Sequence, residues 1–186
     1  MTKILFVSHC ILNTASKVEL FCEEEIKKEE NLRRIFLERA IKAGFQLVQL
    51  PCPEFLLYGP QRWGHVSDQF DNTFFRNYSD AFLAPYIDQI KEYHSHPEKF
   101  EIAGIVGIDG SPSCGVTYTC KSARWKGDFS GRENVDAIID SVTLEKGNGI
   151  FIQELRRLLE KEGLQVPVVG LFADEPQRLF DLLERA

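Results

Sequence analysis

Three cysteines, Cys10, Cys52 and Cys114, each come shortly after a different apolar run of the sequence. Each run is typical of a buried strand, and a thiol beyond such a strand can serve as a nucleophile or as a metal ligand. Cys22 and Cys120 follow no such run, and we interpret them as packing residues. The three cysteines are therefore the first candidates for chemistry.

Two polar residues near these cysteines could move protons. Glu54 is two residues after Cys52 in a proline-stiffened segment, and it is the candidate general acid or base. Ser111 precedes Cys114 in the segment 109–115, where its hydroxyl could orient water or a substrate heteroatom.

Other side chains are candidates for contact with a substrate. Arg62 and Trp63 could clamp and stack a planar molecule, although an arginine beside a tryptophan often only packs. His9 could be a ligand or a base, or a capping or packing residue. The full set of expected substrate contacts is His9, Asn13, Arg62, Trp63 and Ser113.

The elements that would position these residues alternate along the chain. Apolar runs predict strands at 4–8, 45–50, 101–108 and 166–171, and helical periodicity predicts helices at 31–43, 80–93, 150–161 and 175–185. The segment from 62 to about 77 is expected to be a loop or lid, and 121–134 a polar excursion. This pattern predicts one α/β domain over 1–186, Rossmann-like or flavodoxin-like, with about four mostly parallel strands and helices on both faces.

Composition excludes several classes of partner. The chain has 186 residues and a formal net charge of -6, so we expect neither nucleic acid nor membrane binding. Its first residues lack the apolar length of a signal sequence, and its five cysteines, an odd number, do not indicate a disulfide framework. We therefore expect a cytoplasmic protein.

Parallel strands bring their carboxyl ends to one edge of the sheet, so the three thiols are expected in one crevice. Three thiolates are an incomplete zinc or iron-sulfur ligand set, which leaves one coordination position for a substrate. Two alternatives stay open at this point. Cys114 could be a metal-free nucleophile with His9 or Glu54 as its base, or the chain could be a non-catalytic sensing module.

Three sequence blocks resemble the signature of a known family. They are Ser8-His9-Cys10-Ile11-Leu12-Asn13, Cys52-Pro53-Glu54 with Gly59-Pro60, and Ser111-Pro112-Ser113-Cys114-Gly115. In this order they resemble the thiouracil desulfidase family, and Gly147-Asn148-Gly149 is similar to its C-terminal block.

This resemblance implies a 4Fe-4S cluster held by Cys10, Cys52 and Cys114, with one iron open to the sulfur of a thiocarbonyl substrate. It also implies that Glu54 and Ser111 are the catalytic residues and that sulfide and a carbonyl compound are the products. The segments 62–100 and 121–134 look longer than the family pattern, and both are expected near the mouth of the crevice. The identity of the thiolated small molecule is left open.

Overall fold

The computed structural model of the protein describes residues 1–185, so residue 186 of the expected domain lies outside the described residues. In chain order the elements are β1 (Thr2–Val7), α1 (His9–Leu12), a 3-10 turn (Thr14–Ser16), α2 (Glu23–Lys42), β2 (Gln46–Gln49), α3 (Pro53–Tyr58), α4 (Ser67–Phe70), α5 (Thr73–His94), β3 (Phe100–Ile108), β4 (Tyr118–Lys121), α6 (Val135–Ile139), β5 (Thr143–Lys146), α7 (Ile150–Lys161), β6 (Val168–Leu171) and α8 (Gln177–Arg185).

The main sheet has four strands in the order β2-β1-β3-β6, and every neighbouring pair is parallel. Helix α5 packs on α7 and β3, whereas α8 packs on α2, β3 and β6, so the helices form two layers. Strands β1 and β3 lie between them and are fully buried at positions such as Leu5, Phe6 and Ile105. The expected parallel α/β fold is confirmed, and the ends of β1, β2 and β3 are neighbours.

Two predicted helices begin earlier in the structure than expected. Helix α2 begins at Glu23, because three acidic residues in its first turn favour that end of a helix. Helix α5 begins at Thr73, inside the expected loop, because the Asn72 side chain accepts a hydrogen bond from Phe75 N and caps it.

A second, antiparallel sheet of β4 and β5 was not predicted. The four residues of β5 are all exposed, and their sequence Thr-Leu-Glu-Lys carries little apolar signal. Residues 122–134 contain no helix or strand, as expected for the polar excursion. Among residues 1–185, no helix is both long and apolar enough to cross a membrane.

Candidate functional site

The three cysteines lie at the carboxyl edge of the main sheet. Cys10 is in α1, directly after β1, and Cys52 is the N-cap residue of α3, after β2. Cys114 is buried in the loop between β3 and β4. Because β1 lies between β2 and β3, the fold brings three thiols that are distant in sequence to adjacent strand ends.

Burial raises the pKa of all three thiols. It raises the pKa of Cys10 to about 12, with a further increase from Cys52 that the nearby Lys17 opposes. Burial also raises the pKa of Cys52, although hydrogen bonding from Phe55 N to its sulfur lowers it. For Cys114 burial is again the main cause, and Cys10 and Cys52 raise that pKa further. The three thiols are therefore close enough to interact electrostatically.

These thiols are poorly suited to act as free nucleophiles, because a reactive cysteine needs a lowered pKa. Coordination to a bound cationic group would overcome the raised pKa, because it removes the thiol proton outright. The Ser8 hydroxyl is buried and makes no hydrogen bond within the described residues, yet it lies close enough to Cys114 to lower its pKa. The site thus contains buried polar groups whose partners are incomplete.

The chemistry of the three donors fits an iron-sulfur cluster, because cysteine thiolates are the ligands that hold such clusters. Within residues 1–185, no three His, Cys, Asp or Glu side chains are gathered closely enough to hold a metal ion as they stand.

Glu54 lies in the first turn of α3 and is 7% exposed. The Ser113 hydroxyl donates to Glu54 Oε1 at 2.6 Å, and Arg62 Nε approaches Oε2 at 3.4 Å. Both carboxylate oxygens therefore have partners, one from the Cys114 loop and one from the segment after α3. The carboxylate is therefore held between the Cys114 loop and the segment after α3.

Ser111 folds back onto its own loop. Its Oγ accepts backbone N–H groups from Cys114 at 3.0 Å and from Ser113 at 3.3 Å, and it lies 3.2 Å from Ser113 Oγ. The structure therefore brings the two expected catalytic residues together through Ser113. Ser113 is 1% exposed and also contacts Cys114 Sγ at 3.6 Å.

The Cys114 loop is fixed from two directions. Asp109 Oδ1 accepts three backbone N–H groups, from Val116 and Thr117 at 2.7 Å and from Tyr118 at 3.2 Å. Among residues 1–185 the other oxygen of Asp109 finds no hydrogen-bond partner, and Arg178 Nη1 lies 3.9 Å from it. Sequence reasoning missed the role of Asp109, although an aspartate that opens a tight loop is a known signal for such bonding.

Helix α7 fixes the other side of the same loop. Ile150 N donates to Pro112 O at 3.0 Å, and Ile152 N donates to Ser113 O at 3.2 Å. These are first-turn N–H groups that have no partner within the helix. Gly149 allows the approach, because a Cβ there would lie 2.5 Å from the carbonyl of Ser113.

The structure places the expected substrate contacts in different surroundings. Arg62 points inward, with its side chain 4% exposed, and donates to Gly59 O at 3.0 Å and Ser16 O at 2.7 Å. Asn13 caps the 3-10 turn by accepting from Ala15 N. His9 lines a cavity of about 250 Å³ that Cys52 also lines.

Trp63 is 78% exposed and faces Phe129 across 6.2 Å. It lines a separate cavity of about 200 Å³ with His65, Trp125 and Arg132 among its walls. Aromatic side chains exposed on a cavity rim are typical of a recognition surface. Part of the excursion 122–134 therefore forms a wall of this separate cavity.

Two further residues lie on the Glu54 side of the site. Cys120 donates its thiol to His65 O at 3.3 Å, and burial raises its pKa to about 11, with Glu54 adding to the increase. Burial has the opposite effect on His65, whose pKa it lowers. The centre of the His65 ring lies 4.8 Å from the ring centres of both Tyr58 and Phe70. The sequence alone gave no reason to connect Cys120 with Glu54.

The fold and these contacts define an open α/β protein with one buried and two half-buried thiols and a carboxylate–serine network at one sheet edge. The family described as "Putative 2-thiouracil desulfurase" matches residues 2–138, and the chain belongs to that family. The uncharacterized protein MJ0003 of Methanocaldococcus jannaschii is 26% identical over 161 residues, which cover 85% of this chain and 97% of that protein. No solved structure matches the chain.

Proposed function

We propose that this protein is an iron-sulfur-dependent desulfidase that removes sulfur from a thiocarbonyl compound, such as a thiolated nucleobase, and releases sulfide. The observation that carries this proposal is the meeting of three cysteines, one buried and two half-buried, at adjacent strand ends, with Glu54 hydrogen-bonded into the Cys114 loop. Membership of a desulfurase family supports the reaction type.

Cys10, Cys52 and Cys114 would hold a 4Fe-4S cluster. When bound, such a cluster supplies a Lewis-acidic iron with an open position for the substrate sulfur. The sheet contributes rigidity, because each ligand follows a strand that is hydrogen-bonded to its neighbour. The reaction is a net exchange in which the thiocarbonyl and water give the carbonyl and hydrogen sulfide.

Glu54 and Ser111 are the proposed catalytic groups. Glu54 accepts the Ser113 hydroxyl at Oε1 and has Arg62 Nε at 3.4 Å from Oε2, so its carboxylate is held in one position, where it could exchange a proton during attack on the thiocarbonyl carbon. Ser111 Oγ is held by two backbone N–H groups, so its position relative to Cys114 is fixed. The raised thiol pKa values make a metal-free cysteine nucleophile the weaker alternative.

Anaerobic reconstitution with iron and sulfide tests the cluster. We expect the wild type to bind both elements and to absorb broadly in the visible range, and Cys52→Ala to lose this absorbance. Cys22→Ala is the matched control, because Cys22 is an exposed cysteine outside the site. A wild-type protein that stays colourless and free of iron, or a Cys52→Ala variant that keeps its cluster, would contradict the proposal.

Sulfide release from thiolated pyrimidines, purines and simple thioamides tests the reaction. Glu54→Gln should keep the visible absorbance and lose about 100-fold or more in rate, as expected for removal of an acid/base group. Retention of the cluster with no sulfide release from any compound would instead favour an iron-sulfur sensing module. Equal rates in wild type and Glu54→Gln would remove Glu54 from the reaction.

A further inference from the structure

The five consecutive carbonyl groups from Cys114 to Tyr118 all accept hydrogen bonds from other parts of the chain. At one end, Ile108 N donates to Cys114 O at 2.9 Å. At the other end, Gly110 N donates to Tyr118 O at 3.0 Å. The three carbonyls between them accept from residues 147–149, directly before α7. The backbone that carries Cys114 is therefore held along its acceptor side by two separate segments.

Asn148 supplies the side-chain donor among these five bonds. The backbone N–H groups of Gly147 and Gly149 donate to the carbonyls on either side of Val116, both at 2.9 Å. The backbone N–H of Asn148 makes neither bond, and its side-chain Nδ2 donates to Val116 O between them. Val116 is a buried residue, and a buried acceptor that loses its donor is costly to the folded state. The middle carbonyl of the loop thus depends on one amide side chain.

Val116 is also held at its N–H group. Asp109 Oδ1 accepts Val116 N at 2.7 Å, while Asn148 donates to the carbonyl of the same residue. These two side chains therefore fix both backbone polar groups of a residue that follows Cys114 by two positions. A shift of Val116 would reach Cys114 through a single intervening residue.

Asn148 is anchored on the two long helices behind the loop. Its backbone carbonyl accepts Gln153 Nε2 of α7 at 2.9 Å. Gln153 Oε1 in turn accepts Arg76 Nη2 of α5 at 2.9 Å, and Arg76 also pairs with the buried Glu154. The amide that reaches Val116 is therefore supported by packed helices and not by a free loop.

We propose that Asn148 is a positioning residue, which fixes the backbone of the Cys114 loop and thereby the place of the Cys114 sulfur. Its printed partners along residues 1–185 are Val116 and Gln153, so its effect on Cys114 is indirect. An asparagine suits this role because it offers an amide donor that an aspartate of the same shape lacks. The inference rests on the proposed function only for the cluster that the Cys114 sulfur would bind.

Alkylation by iodoacetamide tests this positioning without a cluster. The full chain is treated at one mildly alkaline pH with an iron chelator present, and peptide mass spectrometry gives the initial rate at each cysteine. Cys114 is 6% exposed, so it reacts when its loop opens. Asn148→Asp removes the donor and sets an oxygen against Val116 O. It should raise the Cys114 rate about tenfold, the size expected for one hydrogen bond, and leave the exposed Cys22 unchanged.

The other two thiols of the site separate positioning from a general loss of stability. A residue that only stabilised the fold would, when substituted, raise the rates at Cys10, Cys52 and Cys114 by the same factor. Local positioning raises the rate at Cys114 well above the other two. An equal rise at all three thiols, or a Cys114 rate in Asn148→Asp that matches the wild type, would overturn the inference.

Asn72→Asp is the matched control, because it is the same substitution at another asparagine that donates to a backbone carbonyl. Asn72 Nδ2 donates to Gln69 O at 2.7 Å at the start of α5, and its Oδ1 accepts Phe75 N, a bond that aspartate keeps. Asn72→Asp should leave the Cys114 rate within about twofold of the wild type. A tenfold rise in this control would show that the Cys114 rate does not report on Asn148.

Loss of the cluster to a chelator separates this inference from the proposed function. After reconstitution, the visible absorbance of Asn148→Asp should decay about tenfold faster than that of the wild type, and Asn72→Asp should decay at the wild-type rate. A wild type that takes up no iron refutes the proposed function, and the alkylation rates still decide the role of Asn148. A wild type that holds its cluster beside an Asn148→Asp that loses it no faster overturns the positioning role alone.

Discussion

The loops on either side of β4 are built in opposite ways. In 109–117, backbone groups bond across the loop and to other elements, as Ile108 N does to Cys114 O and Gly110 N to Tyr118 O. In 122–134, backbone bonds join near neighbours, such as Lys126 N to Arg124 O, and most residues are exposed. The first loop holds the candidate chemistry, and the second forms an aromatic rim.

This difference separates two tasks. A ligand and a catalytic serine must keep their positions to within a fraction of an ångström, and dense hydrogen bonding achieves this. A rim that selects among planar molecules can change in sequence and length without disturbing the sheet. Variants of the two loops should therefore differ in which property they change.

The largest difference is expected between two aspartates. Asp109→Ala would leave the buried N–H of Val116 and its two neighbours without their acceptor, and it should cost about 3 kcal/mol of unfolding free energy. Asp128→Ala, which removes one exposed bond to Ser130 N, should cost less than about 0.5 kcal/mol. Urea unfolding of both variants measures this. Equal losses would mean that the first loop is no more constrained than the second.

A smaller effect is expected at the aromatic rim, where a substitution should change substrate binding and leave the unfolding free energy nearly unchanged. Trp63→Ala should leave the unfolding free energy within about 0.5 kcal/mol of the wild type, because the side chain is mostly solvated. If the rim stacks on a planar substrate, the KM for sulfide release should rise roughly fivefold. Phe74→Ala is the control, since Phe74 is 76% exposed and does not line the Trp63 cavity. An unchanged KM in Trp63→Ala would remove the rim from substrate recognition.

The smallest expected effect concerns His65, which lies between the two regions. Burial lowers its pKa below the ordinary 6.5, so the unfolded chain takes up a proton more readily as the pH falls. The contribution of His65 to stability is therefore complete above about pH 6.5 and declines below it. His65→Phe should preserve ring stacking and reduce the loss of unfolding free energy between pH 7 and pH 5.

Urea unfolding at the two pH values gives this difference directly. His94→Gln is the control, because His94 is exposed at the end of α5. A pH dependence that is the same in wild type and His65→Phe would show that His65 is not the group responsible.

Much of this arrangement was predictable from sequence. Apolar runs predicted the parallel sheet, and the position of each cysteine after a run predicted that they share an edge, because strand direction and connection handedness leave few alternatives. The helix over 150–161 was predicted at its observed bounds, since its apolar stripe is regular.

What the sequence could not supply was side-chain direction. Arg62 was expected to meet a substrate, but it lies in a loop, where no periodicity indicates which way a side chain points, and it turns inward to Glu54. The hydrogen bond from Ser113 to Glu54 could not be predicted either, because it joins residues 59 positions apart. Strand β5 was missed because its partner, and not its own composition, creates it.

The contact between α7 and the Cys114 loop has a consequence for the order of synthesis. All three cysteines, Glu54 and both serines precede residue 115, and the family match ends at residue 138. The N–H groups that hold Pro112 and Ser113 come later, from Ile150 and Ile152. A growing chain therefore carries all of these residues before it contains the N–H groups that hold the Cys114 loop, so the proposed cluster would assemble after translation has passed the start of α7.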